Sequence, residues 1–174
     1  MKVTLSHFTP PLPPPSTRSG NLTDLSEETL IACDDSPEDH GCYGTDYGMD
    51  SAFAFAQENG GLCTEVSFPY TSADGTAPTC DASCDKVAAS APASVTDVDP
   101  NEDALQAAVA QQPVAVVIDA SCPGWMQYSG GVWTEDCGTK LDHAVLVVGY
   151  GTDEASGTEC ERLGALTPRP RPAL

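Results

Sequence analysis

Val114-Ala115-Val116-Val117-Ile118 follows Pro113 without a polar interruption, and a short run so rich in β-branched residues predicts a buried strand. A second run, His143 to Tyr150 (HAVLVVGY), predicts a strand buried on both faces and closed by Gly149 and Gly151. Gly131-Val132-Trp133-Thr134 predicts a short strand between them. The helical signals differ in kind. Ser26 followed by Glu27, Glu28, Thr29, Leu30 and Ile31 predicts an N-cap and an acidic first turn, with Cys33 at the end of a short helix. Asp50 to Asn59 sets Phe53, Ala54 and Ala56 among helix formers, and Gly60-Gly61 stops it. Asn101 to Gln111 predicts a third helix, opened by Pro100-Asn101 with Glu102 and Asp103 in its first turn. Helices early and strands late predict an α+β fold.

Between and around these elements the apolar period fails. Residues 1–20 hold five prolines between Pro10 and Pro15 and predict a disordered leader. Residues 62–100, rich in Ser, Thr, Asp, Pro and Cys, predict a loop-rich strip pinned by disulfides. Residues 153–174 end in alternating Pro and Arg and predict a disordered tail, which leaves residues 21–152 as the folded domain.

Composition narrows the chemistry. The 174 residues suffice for one domain, and a net charge of −19 repels phosphate backbones and anionic lipid, so neither nucleic acid nor membrane is an expected partner. Self-repulsion falls as pH approaches the isoelectric point near 4.1, which suits an acidic compartment. The 8 cysteines show no paired CxxC knuckles, so disulfides are expected rather than a metal site. The first 20 residues do not have the form of a signal peptide, and no apolar run is long enough to cross a membrane.

The most suggestive constellation is Asp142-His143, an acid and an imidazole at the entrance to a very apolar strand. Around it stand LSEETLIACD (25–34), GCYG (41–44), MDSAF (49–53), ENGGL (58–62), FPY (68–70), PVAVVIDAS (113–121), YSGGVW (128–133) and CGTKLDHAVLVVGYG (137–151). In this order and at these spacings, from about Leu22 to Gly151, the chain resembles the papain and cathepsin family of cysteine peptidases.

The resemblance implies a papain-like two-lobed fold, with a helical lobe and a β-rich lobe, and a partial peptidase domain over 21–152. It implies a thiolate that attacks the peptide carbonyl, and a histidine that moves protons between nucleophile and leaving amine. His143 matches that histidine, and Asp142 shapes the cleft beside it. Gly44 falls in the loop that pairs with extended substrate, while Met49, Val117 and Ala144 fall where relatives wall the pocket for the second residue before the scissile bond. The loop from Gly44 to Met49 is about two residues longer than the common pattern. Cys33 with Cys80 matches a family disulfide; Cys42 and Cys137 resemble half-cystines whose partners are not in this sequence, and Cys63 with Cys84 is suggested by spacing. Asn21-Leu22-Thr23 is a glycosylation sequon.

The family's oxyanion-hole glutamine and its C-G-S-C-W-A-F segment would lie upstream of Leu25, and its orienting asparagine would follow Gly151. None of them is in the sequence, so the central nucleophile-bearing helix is expected to be absent and the fold incomplete. Cys42 and Cys122 are not placed by the pattern to serve instead. The expected function is that of a cysteine endopeptidase by family, this chain alone being inactive, from an incomplete or aberrantly spliced gene product. The alternatives are a non-catalytic peptide-binding or inhibitory homologue and an unrelated disulfide-rich binding protein. Expected partners are protein or peptide substrates and cystatin-like inhibitors, for a monomer without cofactor in a lysosomal, vacuolar or extracellular setting.

Overall fold

The computed structural model describes residues 4–9, 23–37, 39–44, 48–154 and 156–164. They form two compact units, one of residues 8–96 and one of residues 1–7 with 97–174, and each is described by itself.

The 8–96 unit is tied together around one short stretch. Leu25 bridges Thr64, Ser26 N–H donates to the Cys63 carbonyl at 2.9 Å, and Cys63 N–H donates to Thr29 Oγ1 at 3.1 Å. Ser26 accepts Thr29 N–H on its hydroxyl at 3.2 Å, the expected capping bond, at the start of α1 (Glu28–Cys33). Helix α2 (Met49–Glu58) follows and ends at Asn59-Gly60-Gly61. Gly61, at φ +112°, lies so close to the chain that an added Cβ would stand 2.3 Å from the Val87 carbonyl oxygen, so only glycine fits. Strand β2 (Leu62–Cys63) then pairs antiparallel with β3 (Lys86–Val87). Disulfides Cys33–Cys80 and Cys63–Cys84 staple this unit, as the family pattern and the spacing each led one to expect.

Glu28 takes a role that a first-turn acid does not usually have. It is fully buried, and its carboxylate accepts hydrogen bonds from the backbone N–H and the hydroxyl of both Thr71 and Ser72. Burial opposes its charge, but these four donors outweigh burial and hold its pKa below the ordinary 4.5. The helix start and the 71–72 loop are thereby locked to each other.

The other unit carries most of a five-stranded sheet in the order β4 (Ser94–Val98), β1 (Thr4–Thr9), β5 (Val114–Ile118), β6 (His143–Thr152), β7 (Glu159–Gly164), the ends of β4 and β1 running past its bounds. Helix α3 (Glu102–Val109) is capped by Asn101, whose Oδ1 accepts Ala104 N–H at 2.9 Å. It lays Leu105 and Ala108 on Val114, Val116, Ile118 and Val147 to form the core. Pairing places Val114 opposite Val147, Val116 opposite Val145 and Ile118 opposite His143, so that alternate residues share the helix-covered face. Together these elements make the expected α+β fold.

Several expectations need correction. Strand β6 is not buried on both faces: Ala144, Val148 and Tyr150 are exposed, because α3 covers only the face of Val145 and Val147. Gly131–Thr134 is not a strand, since Gly130 and Gly131 take φ of +150° and +90° and turn the chain. The leader contributes β1, held by its ladder to β5, and the tail contributes β7, held by its ladder to β6; neighbour pairing overrode composition in both. Strands β2, β3 and β4 punctuate the strip 62–100. Residues 10–20, 165–174, the 45–47 part of the loop between Gly44 and Met49, and Asn21 and Leu22 of the sequon lie outside the described residues.

Glu28→Ala strands four donors and is expected to cost about 2–4 kcal/mol of stability in urea unfolding. A depressed folded-state pKa gives stability that is full above the ordinary 4.5 and is lost as pH falls through the folded value, so wild type should weaken at more acid pH and the variant should lose that part of its acid dependence.

Candidate active site

His143 is exposed at the first position of β6, where sheet pairing ends at Ile118. Four links fasten the segment leading into it. Asp142 N–H donates to the Ile118 carbonyl at 3.0 Å, and Ala120 N–H donates back to Asp142 Oδ1 at 2.8 Å. Lys140 N–H donates to Asp119 Oδ2 at 2.8 Å, and Cys122 is bridged to Cys137. The last link corrects the expectation that Cys137 has no partner in this chain: the turn after β5 brings Cys122 within 4.8 Å of it, Cα to Cα. Cys42 and Cys160 carry free thiols.

Beside the imidazole is a shallow, open hollow of about 220 Å³ lined by Ala120, Trp125, Asp142 and His143. It is smaller than pockets that enclose a whole ligand, and suits one side chain of a larger one. Its indole wall is held by a three-ring cluster: Trp125 stacks on Tyr128 with centroids 6.1 Å apart, and Trp133 meets them edge-on at 5.7 and 6.0 Å. Trp133 Nε1–H donates to the Glu135 carbonyl at 2.9 Å. Gly124 is the close contact of this cluster, since a Cβ there would lie 2.5 Å from the Trp133 ring.

Asp119 is drawn into the same loop pair. The Ser121 hydroxyl donates to it at 2.6 Å and is the main cause of its lowered pKa; slight burial acts the other way, and the Lys140 and Ser121 amides and the Lys140 charge add to the lowering.

The other residues singled out by sequence divide between the two units. Val117 and Ala144 are cross-strand partners, one pair inward from Ile118 and His143, with Val117 half-buried and Ala144 exposed. In the 8–96 unit Gly44 is exposed at φ +90° after the 3-10 turn Gly41–Tyr43, and Met49 opens α2, half-buried. Sequence reasoning missed Ala120, Trp125, Asp119, Ser121 and Lys140. Only the Asp-x-Ser spacing at 119–121, which marks an Asx turn, offered a local signal. Among the described residues no cluster of His, Cys, Asp and Glu could hold a metal ion.

The family description "papain family cysteine protease" matches residues 16–160. Cysteine proteinase EP-B 1 of Hordeum vulgare is 47% identical over 143 residues, which are 79% of this chain and 36% of that protein. The chain thus spans a little over a third of the length of such a curated relative. Among solved structures, the proform of the ragweed pollen cysteine protease Amb a 11 superposes with a TM-score of 0.67 at 37% identity, over 85% of this chain and 39% of that one. The bromelain protease from Ananas comosus, in complex with the E64 inhibitor, gives 0.65 at 29% identity, over 85% of this chain and 64% of that one.

Gly124→Ala forces a methyl into the Trp133 ring, so the variant is expected to lose near-ultraviolet circular dichroism from the ring cluster and about 1–3 kcal/mol of stability. A near-ultraviolet spectrum identical to wild type would show that the cluster does not depend on this contact.

Proposed function

Because this chain belongs to the papain family of cysteine proteases, we propose that it carries the histidine side of a papain-like endopeptidase site, with His143 as the proton carrier. The observation that supports this most is the setting of His143: an exposed imidazole at a strand start whose approach segment is fastened at several points and whose flank is a side-chain-sized hollow.

In the proposed reaction a cysteine thiolate forms a bond to the substrate carbonyl carbon. The imidazolium of His143 gives its proton to the leaving amine nitrogen as the C–N bond breaks. Neutral imidazole then takes a proton from water as it attacks the thioester, and thiolate and imidazolium are restored. The hollow walled by Ala120 and Trp125 would receive one substrate side chain beside the scissile bond. Val117 and Ala144, cross-strand neighbours beside His143, are proposed to contact the substrate on the acyl side, and the family resemblance makes Gly44 and Met49 proposed substrate contacts as well.

Among the described residues, the unit that carries His143 supplies no free thiol close to it. Cys33, Cys63, Cys80, Cys84, Cys122 and Cys137 are in disulfides. Of the two free thiols, Cys160 on β7 pairs with Gly151, eight residues along β6 from His143, which is about 25 Å at the rise of a strand, and Cys42 resembles a family half-cystine rather than a nucleophile. We therefore assign the nucleophile to a segment outside residues 1–174, and take the chain by itself to be without peptidase activity. Unfolded proteins and peptides are the proposed substrates, and cystatin-like proteins the proposed inhibitors of a monomeric enzyme. The three disulfides fit an oxidising vacuolar, lysosomal or extracellular setting.

Sequencing the encoding transcript end to end is expected to extend the reading frame into nucleophile and asparagine segments. In the extended product, His143→Ala should lower kcat/KM on an unfolded protein by about 10⁴ or more. Hydrolysis that survives this substitution would overturn the reading. A transcript whose reading frame starts at Met1 and stops after Leu174, and whose folded product binds extended peptides without cleaving them, would instead make it a non-catalytic peptide-binding homologue.

A further inference from the structure

An exposed side chain at the first residue of a strand is held little by packing, so the placement of His143 depends on its pairing with Ile118 and on the backbone before it. Residues 138–142 are irregular and have no ladder of their own. Their attachment to the turn after β5 uses the bonds Asp142 to Ile118 and Ala120 to Asp142, which act at the residue next to the histidine. Further back, two anchors stand among the described residues, the Asp119 carboxylate and the Cys122–Cys137 bridge.

The carboxylate is built into this position. Oδ1 accepts both donors of Ser121, the amide at 3.1 Å and the hydroxyl at 2.6 Å, which fixes the rotation of the group. Oδ2 is then aimed at Lys140 N–H. Gly138, at φ +95°, passes so close that a Cβ would stand 3.1 Å from Oδ2, so the chain approaches the carboxylate where a side chain would press on it. The Lys140 ammonium adds charge attraction to the bond from its own amide. Both oxygens are thus engaged by the loop pair itself. Asp119 acts on the segment that carries the imidazole rather than on the imidazole.

We propose that Asp119 is a positioning residue for His143, a brace that with the Cys122–Cys137 bridge holds residues 138–142 at a fixed height against the turn after β5. This rests on the reading of His143 as the proton carrier, and gives a reason for an aspartate and a disulfide at two places that flank the site without touching substrate. Loss of the brace would let the histidine wander by the ångström or so that proton transfer between aligned groups does not tolerate.

The test uses the isotopically labelled chain and needs no turnover. Amide hydrogen exchange at Lys140 and the NMR titration of the His143 imidazole, one of three histidines in the chain, are measured in wild type, Asp119→Ala and Asp119→Asn. Both variants remove the same charge, but asparagine keeps an acceptor oxygen for Lys140 N–H. Any change that the two share reports the lost charge and the lost second acceptor, and any difference between them reports the lost brace. The expected result is Lys140 exchange faster by about tenfold or more in Asp119→Ala and nearer wild type in Asp119→Asn, with the two His143 titration curves separated. If Asp119→Ala fails to fold, Ser121→Ala, which removes the shorter of the two bonds on Oδ1 and leaves only the amide to hold the carboxylate, is expected to raise Lys140 exchange severalfold. Alanine and asparagine variants that coincide in both readouts, or a Ser121→Ala protein with wild-type exchange, would overturn the proposal and leave the peptidase reading standing. If instead His143→Ala leaves hydrolysis by the extended product intact, the peptidase reading falls and the brace is still measurable.

Discussion

The register between β5 and β6 is the constraint on which the site depends. Val114 faces Val147 and Val116 faces Val145 because both pairs must lie under Leu105 and Ala108 of α3, and a slip of one residue would turn every one of these side chains to the open face. Burial of a valine-sized side chain contributes about 1.5–3 kcal/mol, so several in one core make the wrong register untenable. Once the valines are fixed, Ile118 and His143 meet at the end of the ladder, and the turn after β5 is set beside the approach to β6. The hollow, the aromatic wall and the brace at Asp119 all belong to those two segments.

What could be read from the sequence followed from how locally each signal is written. The strand Val114–Ile118 and the helix capped by Asn101 announce themselves through continuous apolar residues and a capping side chain. The family motifs brought out His143, Asp142, Val117 and Ala144, and the last two prove to be direct cross-strand neighbours. Strand β7 was not legible, because ECERLG has little apolar character and forms through the hydrogen bonds that β6 offers it. The exposed face of β6 was missed for a related reason: an apolar run reports that a strand is sticky, but not that only one of its faces is covered. Trp125 and Ala120 could not be assigned to the site because the Cys122–Cys137 pairing that gathers their loop is one of many connectivities eight cysteines allow.

The strong acidity of the chain also acquires a structural account. Asp34, Asp39, Asp74, Asp81, Asp119 and Asp136 each accept the backbone N–H two residues ahead, at 2.9 to 3.1 Å. These Asx turns let long irregular stretches satisfy their backbone without regular elements. Part of the net charge therefore reflects how the loops are made, over and above any suitability for an acidic medium. Glu28 does the same work in the interior, where four donors make a carboxylate without a cationic partner among the described residues tolerable.

The two disulfides of the 8–96 unit join residue 33 to 80 and residue 63 to 84, so the covalent loops they close overlap. Every peptide bond between Cys33 and Cys84 lies inside at least one of them. A single nick anywhere in that span leaves both pieces chained to one another. For a protein whose relatives are proteases, the stretch from Cys33 to Cys84 is one that a first cut cannot release.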